Sequence, residues 1–265
     1  MVLKNLLKIY YVIKSVHNPF KTIIFLSKYR NNSLLHDNIT FKNNITIKDV
    51  TPGSLWALIT YYYWSHKLSI YSSEYLLDIA TIGTDVDKKL LENLGSDCGS
   101  FKSIQGKDGI LYMLIRKYQP DICIETGISS GFSTYYILSA LERNGKGNLI
   151  SIDIIDEVTI CQKKFLAGWL VPENLKNRWK KVIESSDTAL HSVPGKIDFF
   201  VHDSLHSANY MLNEYSWALR HLNKNGVLAS DDIDWNNAWK KFLNSNNNLI
   251  ELVATPTFAA ATKSE

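Results

Sequence analysis

From Lys107 onward the chain alternates short apolar runs with amphipathic stretches, and an acidic residue stands at or just past the end of each early run: Glu125, Asp153, Asp187, Asp203 and Asp231. The runs at 121–125, 148–153, 181–184, 198–202 and 226–230 read as buried strands. The stretches at 108–118, 132–144, 158–169, 208–222 and 235–243 have helical spacing of their apolar residues. Parallel strands need crossover connections, and helices in that role cover both faces of the sheet. The alternation therefore predicts an α/β fold with a doubly wound, mostly parallel sheet. Two last runs, 249–253 and 258–263, are separated by a short connection holding Pro256. That connection is too short for a crossover, so this pair is expected to be antiparallel.

The segment before this pattern has a different character. Residues 1–16 mix leucine, isoleucine, valine and tyrosine with Lys4, Lys8 and Lys14, the pattern of a basic amphipathic helix. Such a helix packs on the body of the protein or lies on a membrane surface. Residues 31–44 are rich in asparagine and 45–50 in β-branched residues, which suggests a loop followed by a strand or a small hairpin. Helices are expected over 54–66 and 72–94. Residues 1–100 are accordingly read as a mainly helical N-terminal extension, and 101–265 as the α/β domain.

Charge and cysteines bear on partners and compartment. The chain of 265 residues has a net charge of +3, too small to argue for a nucleic-acid partner. The distribution is uneven: the 36 residues before Asp37 hold six basic residues and no acid, leaving 23 basic against 26 acidic residues in the rest. Peripheral membrane contact is expected, if anywhere, through residues 1–30. Cys98, Cys123 and Cys161 form no CxxC, and an odd number leaves one unpaired, which suits a reducing, cytoplasmic setting. The uncharged stretch 51–66 contains Pro52 and Gly53 and is shorter than the roughly 20 apolar residues a spanning helix requires. Oligomeric state is not legible.

The most informative local feature is Glu125-Thr-Gly-Ile-Ser-Ser-Gly131, where a buried strand ends in an acid and passes through glycines into a helix. Gly127 and Gly131 allow positive φ and close approach of a ligand to the helix start. The spacing is G-x-x-x-G rather than the G-x-G-x-x-G of dinucleotide sites. Glu125 would repel a pyrophosphate and attract an ammonium, so a cationic amino-acid cofactor fits better. Asp153 is placed to accept hydrogen bonds from ribose hydroxyls, and Asp187 to meet an adenine edge.

Together, the 125–131 turn, the Ser151-Ile-Asp153 strand end and the Ser186-Asp187 step resemble the successive motifs of class I S-adenosylmethionine-dependent methyltransferases over about 106–263. The resemblance implies a seven-stranded sheet with a reversed final strand. It also implies a cofactor site drawn from Glu125, Thr126, Gly127, Gly131, Ser133, Asp153, Ser186, Asp187 and Asp203.

A second constellation follows the fourth and fifth strands of the sheet. Asp203 and His206 lie past 198–202, and Asp231 and Asp232 past 226–230, at the edge where doubly wound sheets bind ligands. Three closely packed carboxylates call for a cation, and an all-oxygen set suits magnesium or manganese. The pattern resembles the metal-dependent small-molecule O-methyltransferases, notably the macrocin-type sugar enzymes. The resemblance implies Asp203, Asp231 and Asp232 as metal ligands, with His206 and Asp203 catalytic. The macrocin-type pair after the fifth strand is Glu-Asp, whereas this chain has Asp-Asp.

The expected activity is methyl transfer from S-adenosylmethionine to a hydroxyl of a small, sugar- or polyol-like molecule, assisted by the metal. Alternatives are a metal-independent methyltransferase and a silent membrane-peripheral protein of the same fold. His202, one residue before Asp203, is expected on the other side of its strand, and His191 in a connecting loop.

Overall fold

The computed structural model describes residues 37–41, 45–95, 106–193 and 195–264. The basic helix expected over 1–16 and the membrane contact expected through 1–30 lie outside the described residues. The chain divides into two compact units, Met1–Met113 with Thr159–Lys164, and Leu114–Val158 with Phe165–Glu265.

In the first unit, β1 (Asp37–Thr40) and β2 (Thr46–Val50) form the small antiparallel hairpin. Helix α1 (Pro52–Lys67) starts two residues earlier than its apolar spacing suggests. Thr51 and Ser54 form a capping box and Pro52 occupies the first turn, where its missing N–H costs nothing. Helix α2 (Ser73–Leu94) follows, and the first turns of α3 (Gly106–Tyr118) complete this unit. A Cβ at Gly109 would lie 2.2 Å from the carbonyl oxygen of Ala57, so glycine lets α1 and α3 touch backbone to backbone. The core here is rich in tyrosine. Buried Asp78 accepts a hydrogen bond from the Tyr112 hydroxyl at 2.5 Å, and buried Asp87 accepts one from the Gly53 N–H at 3.0 Å.

The second unit carries the sheet. In chain order come β3 (Ile122–Thr126), α4 (Phe132–Asn144), β4 (Asn148–Asp153), and a hairpin of β5 (Glu157–Ile160) and β6 (Lys163–Leu166) whose turn, Thr159–Lys164, groups with the first unit. Then come β7 (Trp179–Ile183), α5 (Ser186–Ala189), β8 (Ile197–His202), α6 (Ala208–His221), β9 (Leu222–Ser230), α7 (Ala238–Asn244), β10 (Leu249–Ala254) and β11 (Ala259–Lys263). The seven-stranded order is β7-β4-β3-β8-β9-β11-β10. Neighbours from β7 to β9 run parallel, and β11 is antiparallel to both β9 and β10. The doubly wound sheet with a reversed final strand is thus observed. Its faces are sealed by Ile124, Ile152, Phe199, Phe200, Tyr136 and Tyr215, all buried.

One expected helix is not formed. Residues 158–169 begin as the β5–β6 hairpin, turned by Cys161 and Gln162, both at positive φ (48° and 65°). Val158, Thr159 and Ile160 are β-branched and favour a strand, while a two-residue loop with both positions left-handed matches the twist of a hairpin. The last helix begins at Ala238 rather than 235, where the Asn236 side chain accepts the Ala238 N–H at 2.8 Å.

Cys123 is free and buried, and burial pushes its thiol well up. Cys161 is disulfide-bonded. Among the described residues no helix is long and apolar enough to cross a membrane.

Candidate active site at the carboxyl edge of the sheet

β3 leaves the sheet through Gly127 and Gly131, at φ 87° and 85°, before α4 begins. A Cβ at Gly127 would lie 1.9 Å from the carbonyl oxygen of Asp203. The turn therefore rests directly on the start of the β8–α6 loop, and only glycine allows it. The Asp203 N–H donates to the Thr126 carbonyl at 2.8 Å, locking the two segments further.

Glu125 does not open onto this edge. It is fully buried, with Ser133 donating to Oε1 at 2.5 Å and Thr134 and Ser151 each donating to Oε2 at 2.7 Å. A buried carboxylate is tolerated only with such donors, so it knits the first turn of α4 to β3 and β4 rather than presenting oxygens to an ammonium. Ser133 is buried in the same bond. Thr126 and Ser186 are also turned inward, as described below.

Asp153, at the end of β4, is half-buried. Its Oδ2 accepts the N–H groups of Ile128 and Ser129 at 2.7 and 3.1 Å, and Oδ1 accepts that of Ile155 at 3.3 Å. This carboxylate shapes the turn backbone, and its Oδ1 keeps the remaining accepting capacity. Asp153 pairs in register with Ile183 at the end of β7. Around these two strand ends Ile154, Ile155 and Ile183 are 69%, 58% and 42% exposed. Asp187 is exposed in the first turn of α5. Large apolar side chains beside acidic ones form a surface that the flat, polar-edged ring system of a nucleoside would cover.

Past β8 and β9 the second constellation assembles in part. His206 Nε2 lies 3.8 Å from Asp203 Oδ1 and 3.7 Å from Asp232 Oδ2. The His206 ring stands 5.2 Å from that of Trp235, which is 68% exposed, and its carbonyl accepts Asn236 Nδ2 at 3.0 Å. Asp232 has a left-handed backbone, φ 48°, and the Asp231 N–H donates to the His202 carbonyl at 2.9 Å.

The metal cage expected from Asp203, Asp231 and Asp232 is not formed. Among the described residues no three His, Cys, Asp or Glu side chains are arranged to hold a metal ion. His206 Nε2 is buried and lies beyond hydrogen-bond distance but within ion-pair range of both Asp203 and Asp232, whose charges a protonated imidazole would offset.

Behind this edge lies a group that the sequence did not single out. Glu214, on the buried face of α6, receives Thr126 Oγ1 and His202 Nδ1 on Oε2, both at 2.6 Å. On Oε1 it receives Ser186 Oγ at 2.5 Å and Ser204 Oγ at 2.9 Å. Burial pushes the Glu214 carboxyl up, but the hydrogen bond and charge of His202, with the hydroxyls of Ser186 and Thr126, outweigh it and hold the group below the usual range. His202, expected to face away, is fully buried against this carboxylate, its ring 5.4 Å from that of His206. His191 is exposed in the short turn Leu190–Ser192. An acid three residues after Met211 and four before Ala218, on the apolar stripe of α6, is the signal that could have revealed Glu214.

Residues 124–233 match the family described as "Methyltransferase domain". This span, less than half of the chain, holds every expected site residue from Glu125 to Asp232. No curated protein sequence matches the chain. Among solved structures, a protein assigned as an O-methyltransferase from Klebsiella pneumoniae is 16% identical with a TM-score of 0.50, covering 80% of this chain and 99% of its own. A methyltransferase from Geobacter sulfurreducens is 14% identical with a TM-score of 0.51, covering 70% of this chain and 89% of its own. The O-methyltransferase TomG from Streptomyces achromogenes, solved with S-adenosylmethionine, is 17% identical with a TM-score of 0.49, covering 82% and 100%. Over residues 124–233 the chain is thus similar to the methyltransferase-domain family, and its fold is similar to that of the Klebsiella pneumoniae and Geobacter sulfurreducens proteins.

Proposed function

We propose that the chain transfers the methyl group of S-adenosylmethionine to a hydroxyl of a small, sugar- or polyol-like molecule, with His206 as the base. The observation that carries this reading is the placement of His206 Nε2 within 3.8 Å of two carboxylates, beside the loop on which the Gly127 turn rests. When bound, S-adenosylmethionine supplies a methyl group on a sulfonium, an electrophile that needs only an oxygen nucleophile held in line. The exposed isoleucines past β4 and β7, flanked by Asp153 and Asp187, suit its adenosine part.

His206 takes the acceptor's proton at Nε2, as a side chain whose ordinary pKa near 6.5 allows it to accept and release protons near neutrality. Asp203 and Asp232 offset the charge the ring gains. Trp235, exposed beside the imidazole, offers a flat apolar face against which an acceptor ring can lie. The turn from Gly127 to Gly131, its backbone held by Asp153, would hold the cofactor against this edge.

The test is a methyl-transfer assay over a panel of glycosides and catechols, with magnesium, with a chelator, and with His206→Ala alongside. The reading expects activity that survives the chelator and falls about 10²–10⁴-fold in His206→Ala, the usual range for a general base. Activity abolished by the chelator and restored by magnesium would replace it with the metal-assisted reaction expected from the sequence. Full activity of His206→Ala would refute the assignment of the base.

A further inference from the structure

The end of β3, the start of α5 and the end of β8 converge on one buried side chain. Thr126 ends β3 and immediately precedes Gly127. Ser186 opens α5 after β7 and immediately precedes Asp187. His202 ends β8 and immediately precedes Asp203, with Ser204 just beyond. Each of these four residues donates to the carboxylate of Glu214, two to each oxygen, at 2.5 to 2.9 Å. Glu214 itself is 1% exposed and comes from α6, whose Tyr210 hydroxyl also meets Ser186 Oγ at 2.6 Å.

A carboxylate saturated by four donors in a low-dielectric interior is a rigid node, because losing any donor leaves buried charge uncompensated. It is also costly, and the core of α6 would be filled more simply by an apolar side chain like its neighbours Met211, Tyr215 and Ala218.

We propose that Glu214 is the positioning residue of the site. It sets the relative placement of Gly127, Asp187 and Asp203 by holding the residue next to each of them, and so acts on cofactor binding and on His206 without touching either ligand. The inference rests on the reading that the edge binds S-adenosylmethionine. A purely structural Glu214 would contribute to folding alone. A positioning Glu214 contributes to ligand affinity in a protein that remains folded.

The experiment uses the full chain and calorimetric titration with S-adenosylhomocysteine, which requires no knowledge of the acceptor. Wild-type protein is titrated first, and failure to bind would overturn the cofactor reading itself, independently of any variant. Glu214→Gln keeps the shape but turns one acceptor into a donor facing hydroxyls and an imidazole. Tyr215→Phe removes the hydroxyl bonded to Ser230 Oγ at 2.5 Å, one residue along the same helix and equally buried, and serves as the structural control. Where Glu214→Gln does not fold, Thr126→Val is read in its place.

Glu214→Gln is expected to weaken binding at least tenfold while Tyr215→Phe stays within twofold of wild type at a comparable loss of Tm. Glu214→Gln combined with Thr126→Val should weaken binding by less than the product of the single effects, since both break the same node. Equal affinity in Glu214→Gln and wild type, or an equal loss in Tyr215→Phe, would overturn the proposal.

Discussion

Replacing Gly127 with alanine tests the contact that joins the two halves of the site. The new Cβ would lie 1.9 Å from the Asp203 carbonyl oxygen. An ordinary C···O approach is about 3.3 Å, so Asp203 or the turn must move by more than about 1 Å. Two costs add. A left-handed backbone at φ 87° costs a non-glycine residue about 1–2 kcal/mol, and forced displacement of packed atoms costs about 1–3 kcal/mol.

Gly145→Ala separates these costs, because Gly145 has φ 68° and nothing within 4 Å of the added carbon. It should lose only the first, about 1–2 kcal/mol. Each kcal/mol shifts Tm by roughly 2–4 °C in a chain of this size. Thermal melts followed by circular dichroism should place Gly145→Ala about 2–8 °C below wild type, and Gly127→Ala a further 2–12 °C below that. Titration with S-adenosylhomocysteine should show a loss of affinity for Gly127→Ala alone. If the two variants melt together and bind alike, the Gly127–Asp203 contact does not govern the site.

Asp153→Asn keeps the shape of the side chain but weakens the bonds from the Ile128 and Ser129 N–H groups, which lose charge assistance worth about 1 kcal/mol each. S-adenosylhomocysteine binding should weaken about 10- to 100-fold with Tm lower by about 4–8 °C, and unaltered affinity would show that Asp153 shapes nothing the ligand uses. Because the folded-state pKa of Glu214 is depressed, its contribution to stability is present above the ordinary glutamate range and is lost as pH falls through the folded-state value. The acid limb of a Tm-against-pH profile should therefore be shallower in Glu214→Gln than in wild type, and an identical limb would remove Glu214 from the acid response.

Much of the domain was legible because its cues are local. Strand length, β-branching and the spacing of apolar residues set most elements of the second unit, and the short connection through Pro256 forced the antiparallel ending. The hairpin at β5 and β6 was misread because its apolar residues fit either period, and the left-handed pair Cys161 and Gln162 carries no glycine or asparagine to announce a turn. The helix α1 was placed late because its start is decided by Thr51 and Pro52 rather than by apolar spacing.

What the sequence alone determined was which residues arrive at the carboxyl edge: the period-two and helical patterns put Glu125 and Asp153 at strand ends, and Asp203, His206 and Asp232 just past them, whatever the packing. Only the tertiary structure decided which way those side chains turn. Glu125, Thr126 and Ser186 find donors or acceptors inside the protein, and a buried polar group settles wherever its hydrogen bonds are met. Asp203 and Asp232 face an imidazole rather than closing a three-carboxylate cage. Glu214 gained its place only through partners 10 to 88 residues distant in the chain, a relation that no local pattern encodes.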